Sequence, residues 1–182
     1  MSHQRSLFGR VRLAGKAPSD ENRILFPAEL EGIDQPFKMA IVQNADLEAV
    51  LCSDRVSEVD RRIVQASDLR RPVVFSSGWY RFMRIIEGVV GDLHIRGSLG
   101  RSPRRYRLPA LDEGLALIST FPNFPSTQPI WILDAKFVDP HSMLRVSLVM
   151  HHVVSGWRLD LDAAAAGSIR PDHLVLVHCN LR

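Results

Sequence analysis

A chain of 182 residues, 46% hydrophobic and 24% charged, has the composition of an ordinary globular protein and the length for one core, which sets aside disorder and fibrous repeats. No run approaches the roughly 18 to 20 apolar residues a bilayer span needs, and the first residues lack the basic-then-apolar order of a secretory leader, so neither a membrane partner nor export is expected. The formal net charge is +3, and every cation except Lys16, Lys38 and Lys136 is arginine, the side chain whose fork matches phosphate and carboxylate. A GC-rich coding sequence gives the same bias. Cys52 and Cys179 lie far apart and match no metal spacing, so free thiols in a reducing cytoplasm are expected.

Residues 7–14 alternate Leu7, Gly9, Val11 and Leu13 against Phe8, Arg10 and Arg12, the period of a strand with a basic outer face. Pro18 breaks it, and Ile24 to Phe26 reads as a short strand stopped by Pro27. Phe37, Met39 and Ile41 alternate over 37–43 as a second strand. Asn44 then suits a helix N-cap, with Asp46 and Glu48 at the positive end of the dipole. Val56, Val59 and Ile63 continue a helical spacing, so one helix, or two with a break near Ser53, is predicted across 45–66.

Arg71 and Pro72 end that pattern, and Val73 to Phe75 is a short strand closed by Ser76, Ser77 and Gly78. The segment from Trp79 to Ile86 fits both periods, and its neighbours favour a strand. From Asp92 to Leu99, Leu93, Ile95, Gly97 and Leu99 alternate with Asp92, His94, Arg96 and Ser98, which predicts a half-buried strand. Residues 100–107 read as a loop, and Leu115 to Ile118 as a connection before the turn-rich Phe121 to Pro125. Trp131, Leu133, Ala135 and Phe137 share a predicted face, as do Leu144, Val146, Leu148 and Met150, with a turn near Asp139 and Pro140. Trp157, Leu159 and Leu161 alternate with Arg158, Asp160 and Asp162, and a last strand runs over 174–181.

With no strand-helix alternation, these elements predict a mainly β chain: an antiparallel β-sandwich of about eight strands, a jelly roll first of all, with one or two short helices near 45–66. Residues 1–20 form an N-terminal arm or first strand, and 21–182 a single β-sandwich domain.

Arg101, Arg104, Arg105 and Arg107, interleaved with Pro103 and Tyr106, have the makings of a phosphate grip with a stacking ring. A solvated loop explains the same charges. Arg5, Arg10 and Arg12 near the start, and Arg61, Arg62, Arg70 and Arg71 farther on, extend such a patch if the fold gathers them. His151 and His152 are adjacent on a strand and point to opposite faces, which disfavours shared metal ligation. His94, His141, His173 and His178 are scattered, and Asp160 with Asp162 reads as a polar outer face. No nucleophile elbow, phosphate loop, dinucleotide fingerprint or zinc spacing occurs. No catalytic residue, metal or cofactor is therefore assigned, and enzymatic activity is not expected.

The order of elements, and the ending Asp172, His173, Leu174, Val175, Leu176, Val177 and His178, resemble the coat proteins of small positive-strand RNA plant viruses of the bromovirus and cucumovirus type. The resemblance implies a jelly-roll shell subunit that forms homo-oligomers, resides in the virion or host cytoplasm, and contacts packaged RNA through Arg5, Arg10, Arg12, Arg101, Arg104, Arg105 and Arg107. The segment Met1 to Lys16 is shorter and less basic than the arms of those proteins. Two rival readings stand beside it. One is a β-sandwich module that binds a protein or carbohydrate through exposed aromatics such as Trp79, Tyr80 or Trp157. The other is a hydrolase-like enzyme with loop-borne groups such as His141, His151 or Asp160.

Overall fold

The computed structural model describes residues 24–25, 35–41, 47–65, 76–85, 90–100, 106–139, 141–164 and 167–180. Their order is β1 (Ile24–Leu25), β2 (Phe37–Ile41), α1 (Leu47–Leu51), β3 (Val56–Val59), α2 (Arg61–Gln65), β4 (Ser76–Ile85), α3 (Asp92–Gly100), β5 (Tyr106–Arg107), α4 (Leu111–Thr120), β6 (Ile130–Val138), β7 (Arg145–Val153), β8 (Gly156–Asp162) and β9 (Leu174–Cys179). The expectation of a mainly β chain with a few short helices holds. The predicted arm at 1–20, the cap at Asn44 and the strand at 73–75 lie outside the described residues.

The strands form one sheet in the order β1-β4-β9-β6-β7-β8-β3, with β2 also beside β4 and β5 also beside β9. The pairs β6–β9 and β3–β8 are parallel and the others antiparallel. This mixed sheet departs from the all-antiparallel arrangement expected. The reason lies in β9, whose Leu174, Val175, Leu176 and Val177 are all fully buried. A run that is apolar on both faces belongs at the centre of a sheet covered on both sides. Leu174 and Leu176 join one apolar cluster with Leu115, Leu117 and Ile118 of α4, while Val175 and Val177 join another with Ile95 and Leu99 of α3. One core between two sheets was expected; the described residues make two clusters, one on each face of a single sheet.

Helix α3 stands where alternation predicted a strand. Ile95 and Leu99 are four residues apart, so the alternating pattern also contains a one-residue-wide helical stripe. They are its buried residues, whereas Leu93 of the supposed apolar row is 85% exposed. Burying each such side chain contributes about 1.5–3 kcal/mol. The Asp92–Arg96 ion pair, Nε to Oδ1 at 2.7 Å, spans one helical turn.

Strand β6 receives that helix on a bulge. Ile132 pairs with Leu148, but Lys136 pairs with the adjacent Ser147, so the intervening residues are looped out and the side-chain parity reverses. Trp131 and Leu133 therefore face α3, while Ala135 and Phe137 join the opposite cluster, correcting the predicted common face. The bulge holds α3 by charge: Lys136 Nζ lies 2.7 Å from Asp92 Oδ2, and Arg96 Nη2 lies 2.6 Å from Asp134 Oδ1.

The predicted helix of 45–66 is divided. A turn after Leu51, in which the Ser53 hydroxyl donates to the Val50 carbonyl at 2.7 Å, leads into β3, and Val56 and Val59 belong to that strand. Asp60 then caps α2 by accepting the Arg62 N–H at 2.9 Å. Its Arg62 neighbour holds the Asp60 carboxyl below the usual carboxylate range. At the β7–β8 turn, Gly156 has φ 122°, and a Cβ there would lie 2.6 Å from the Arg55 carbonyl oxygen, so only glycine fits. Arg55 O is used: it accepts the Trp157 N–H at 2.8 Å and ties the β8 start to the segment before β3.

Candidate functional site

Helix α4 is not the loop crossing read from Leu115 to Ile118. It begins after Pro109 and Ala110, carries Asp112 and Glu113 in its first turn, and lays Leu115, Leu117 and Ile118 on the sheet. Gly114 makes the approach close, since a Cβ there would stand 2.8 Å from Cγ1 and Cγ2 of Ile132.

That approach carries Glu113 inside the protein, where it is 4% exposed. Four donors meet its carboxylate. Arg107 Nη1 reaches Oε2 at 2.7 Å and Arg107 Nη2 reaches Oε1 at 2.6 Å. The Ala110 N–H donates to Oε2 at 2.8 Å and the Tyr80 hydroxyl to Oε1. The Ala110 contact is the backbone half of a capping box. Burial alone would raise the Glu113 carboxyl, but Arg107, Tyr80 and Ala110 together bring it below its ordinary value. Tyr80 is held protonated, first by burial and then by the neighbouring carboxylate.

His178 completes the cluster. In register it stands opposite Tyr80 on β4 and opposite Arg107 on β5, and its ring meets the Tyr80 ring edge-on with centroids 5.0 Å apart. Its Nδ1 is buried and finds no hydrogen-bond partner among the described residues. Burial, and next the Arg107 charge, lower its pKa, against smaller opposing contributions from Glu113 and Asn180. Chemically, the carboxylate has little free basicity left; the arrangement is a polar clamp that fastens β5 and the α4 N-terminus to the sheet. The pattern Pro-Ala-Leu-Asp-Glu at 109–113 was the available signal for that helix start.

Of the predicted nucleic-acid contacts, Arg107 is described and is committed to Glu113 with 45% of its side chain exposed. Arg5, Arg10, Arg12, Arg101, Arg104 and Arg105 lie outside the described residues, as do Arg70 and Arg71. Arg62 is occupied by Asp60 at 2.6 Å and Asp139 at 3.6 Å.

The residues of the two rival readings separate. Tyr80 and Trp157 are fully buried, which corrects their proposed surface role, while Trp79 is 42% exposed. Trp157 packs against Phe124 and donates its indole N–H to the Phe121 carbonyl at 3.2 Å. His151 and Asp160 do come together, Nε2 to Oδ2 at 3.3 Å, but Asp160 is shared with Arg158 Nε at 2.8 Å. His141 is in the exposed β6–β7 turn beside Asp139. His152 points to the other face from His151, with Nε2 3.2 Å from the Pro122 carbonyl. Cys52 is exposed and Cys179 buried, both as free thiols.

Among the described residues no group of three or more His, Cys, Asp or Glu side chains is arranged to hold a metal ion. No described helix is long and apolar enough to cross a membrane. No protein-family model matches the chain, and neither does any curated protein or solved structure.

Proposed function

We propose that this chain is a non-enzymatic, self-assembling structural subunit that binds RNA through arginine–phosphate contacts. The observation that carries the reading is the place of the arginine run in the chain. Residues 101–105 connect α3, anchored in one apolar cluster by Ile95 and Leu99, to β5, whose Arg107 is clamped on buried Glu113. Three arginines among the five residues 101–105 supply the cationic density that neutralises phosphates.

The clamp also redistributes the roles. Arg107 is neutralised by Glu113 and acts as the anchor, so phosphate contacts fall to Arg101, Arg104 and Arg105, joined by Arg5, Arg10 and Arg12. The closing of Glu113, Asp60 and Asp92 by cationic partners gives these carboxylates structural work and supports binding over catalysis. A jelly roll is the finer architecture that the coat-protein resemblance implies. The parallel pairs β3–β8 and β6–β9 fit a mixed sheet better than a jelly roll, and with a buried cluster on each face, assembly falls to the sheet edges and the outer surfaces.

The test is RNA affinity of the full chain as a function of salt, with particle size followed by light scattering and electron microscopy. Replacing Arg101, Arg104 and Arg105 together by alanine should lower the slope of log K against log salt by about two for single-stranded RNA, at about 0.7 per lost phosphate contact. An unchanged slope, or a chain that stays monomeric at every concentration with and without RNA, overturns the proposal.

A further inference from the structure

On the α3 face of the sheet the Trp131 indole N–H donates to Nδ1 of His173 at 3.0 Å. The Arg170 backbone N–H points at the same nitrogen from 3.4 Å. An indole is a donor only, so this contact requires an unprotonated Nδ1 and puts the ring hydrogen of His173 on Nε2. The two rings lie nearly parallel, 29° between planes and 6.0 Å between centroids, and Trp131 is 1% exposed. His173 is thus the acceptor that satisfies a buried tryptophan on the central strand β6.

His173 also ends the connection from β8 to β9. Among the described residues, that segment is tied to the fold by the Ala164 carbonyl, which accepts from Asp92 N–H at 3.0 Å, by Ile169 and Val90, which exchange two bonds of 2.9 Å, by Leu174 N–H, which reaches the Pro129 carbonyl at 2.8 Å, and by the fully buried Ile169 side chain. We infer that the Trp131–His173 bond is an acid-sensitive latch: a proton taken from solvent onto Nδ1 of His173 releases the β8–β9 connection from the sheet. The imidazolium donates at both nitrogens, so the Trp131 and Arg170 N–H groups lose their acceptor and face a like-polarity hydrogen. An orphaned buried donor costs enough to shift a local opening equilibrium about tenfold or more.

The charges around the ring define the range of the latch. Asp172 Oδ1 lies 3.8 Å from Nε2, and it and Asp162 favour protonation. Burial first, and then Arg170, oppose it. From β7, His151 faces the same region and is itself kept neutral by burial and by Arg158, against Asp160. The His173 ring adds a smaller contribution that lowers the pKa of His151.

The experiment is a pH titration of the full chain from 7.5 to 5, reading the Trp131 indole N–H and His173 ring nitrogens by NMR, with amide exchange at Ile169 and Leu174. The indole resonance should shift with the midpoint of His173, and protection of the two amides should fall about tenfold below it. His173→Asn puts a non-titrating oxygen where Nδ1 stood and should keep both readings at their neutral-pH values down to pH 5. Trp131→Phe should raise the His173 midpoint, because the bond favouring the neutral ring is gone, and it serves where the asparagine variant fails to fold. A flat indole resonance through the His173 titration, a pH step that persists in His173→Asn, or an unmoved midpoint in Trp131→Phe overturns the inference.

Discussion

Gly78 and His178 occupy one space: a Cβ at position 78 would stand 2.7 Å from Nε2 of His178 and 3.0 Å from the Tyr80 ring. The absent side chain of β4 is what leaves room for the imidazole of β9 against the Tyr80 ring. Gly78→Ala should therefore force the His178 ring out of place and destabilise the protein by about 1–3 kcal/mol. In an His178→Ala background the same change should cost less, with the 3.0 Å approach to the Tyr80 ring remaining. Urea denaturation of the four proteins gives the coupling directly, and a cost that stays the same in both backgrounds contradicts the shared-space argument.

A second packing contact fixes α4. Gly114→Ala drives a methyl group to 2.8 Å from Ile132 Cγ1 and Cγ2, both in a fully buried side chain. A loss of about 1–3 kcal/mol is expected. Ile132→Ala removes all the atoms in close contact, so Gly114→Ala should cost less in that background than in the unaltered chain. A Gly114→Ala cost that is the same in both backgrounds counts against direct contact between helix and strand.

How far these relationships were readable from the chain depends on their range. The alternation of β8, and of Val146, Leu148 and Met150 in β7, survives in the structure because one residue follows the next on a pleat, and the predicted last strand is β9. The α3 misreading arose because Leu93, Ile95, Gly97 and Leu99 satisfy a two-residue period while the helix uses Ile95 and Leu99. The β6 bulge reverses side-chain parity at Asp134, an event that a fixed period does not contain. Arg107 was singled out from sequence, but its partner Glu113 was not, because α4 begins at Ala110, which has no capping side chain. Tyr80 and His178 meet through the β4–β9 register, and no local pattern reports that pairing.

On the proposed reading, the Glu113 clamp serves stability and leaves RNA contact to other arginines. Glu113→Gln keeps the shape of the side chain but leaves Arg107 without its counter-charge and weakens the contact with Ala110 or Tyr80. A loss of about 1–3 kcal/mol is expected, since Arg107 is half in solvent and is spared part of the penalty of a buried unpaired charge. Arg107→Lys loses the two-pronged contact and should cost about 1 kcal/mol. Neither change should alter the salt slope of RNA binding. A lower slope in Arg107→Lys, at unchanged fold, would make Arg107 a phosphate contact rather than an anchor.

Stability should fall from neutral pH in both directions, with identifiable groups responsible on each side. His151, His173 and His178 have lowered pKa values, with burial the first cause, so the unfolded chain takes up protons that the folded one refuses. Their contribution is present above about pH 6.5 and is lost as pH drops through that value toward the folded ones, by up to about 1.4 kcal/mol per pH unit for each proton. Glu113 is lowered from 4.5, so its contribution is present above that value and lost as pH falls through the depressed one. On the alkaline side, burial pushes the Cys179 thiol up from 9.0 to about 11. Its contribution is complete below 9.0 and is lost as pH rises toward the folded value. Thermal unfolding from pH 3 to 11 should therefore give a plateau near neutrality, an acid decline in two stages, and an alkaline decline. His173→Asn should diminish the first acid stage, which it shares with His151 and His178, Glu113→Gln the second, shared with Asp60, and Cys179→Ala the alkaline one, shared with Tyr80. An acid decline that begins only below pH 4.5 in the unaltered protein would show that the three histidines titrate alike in the folded and unfolded chains.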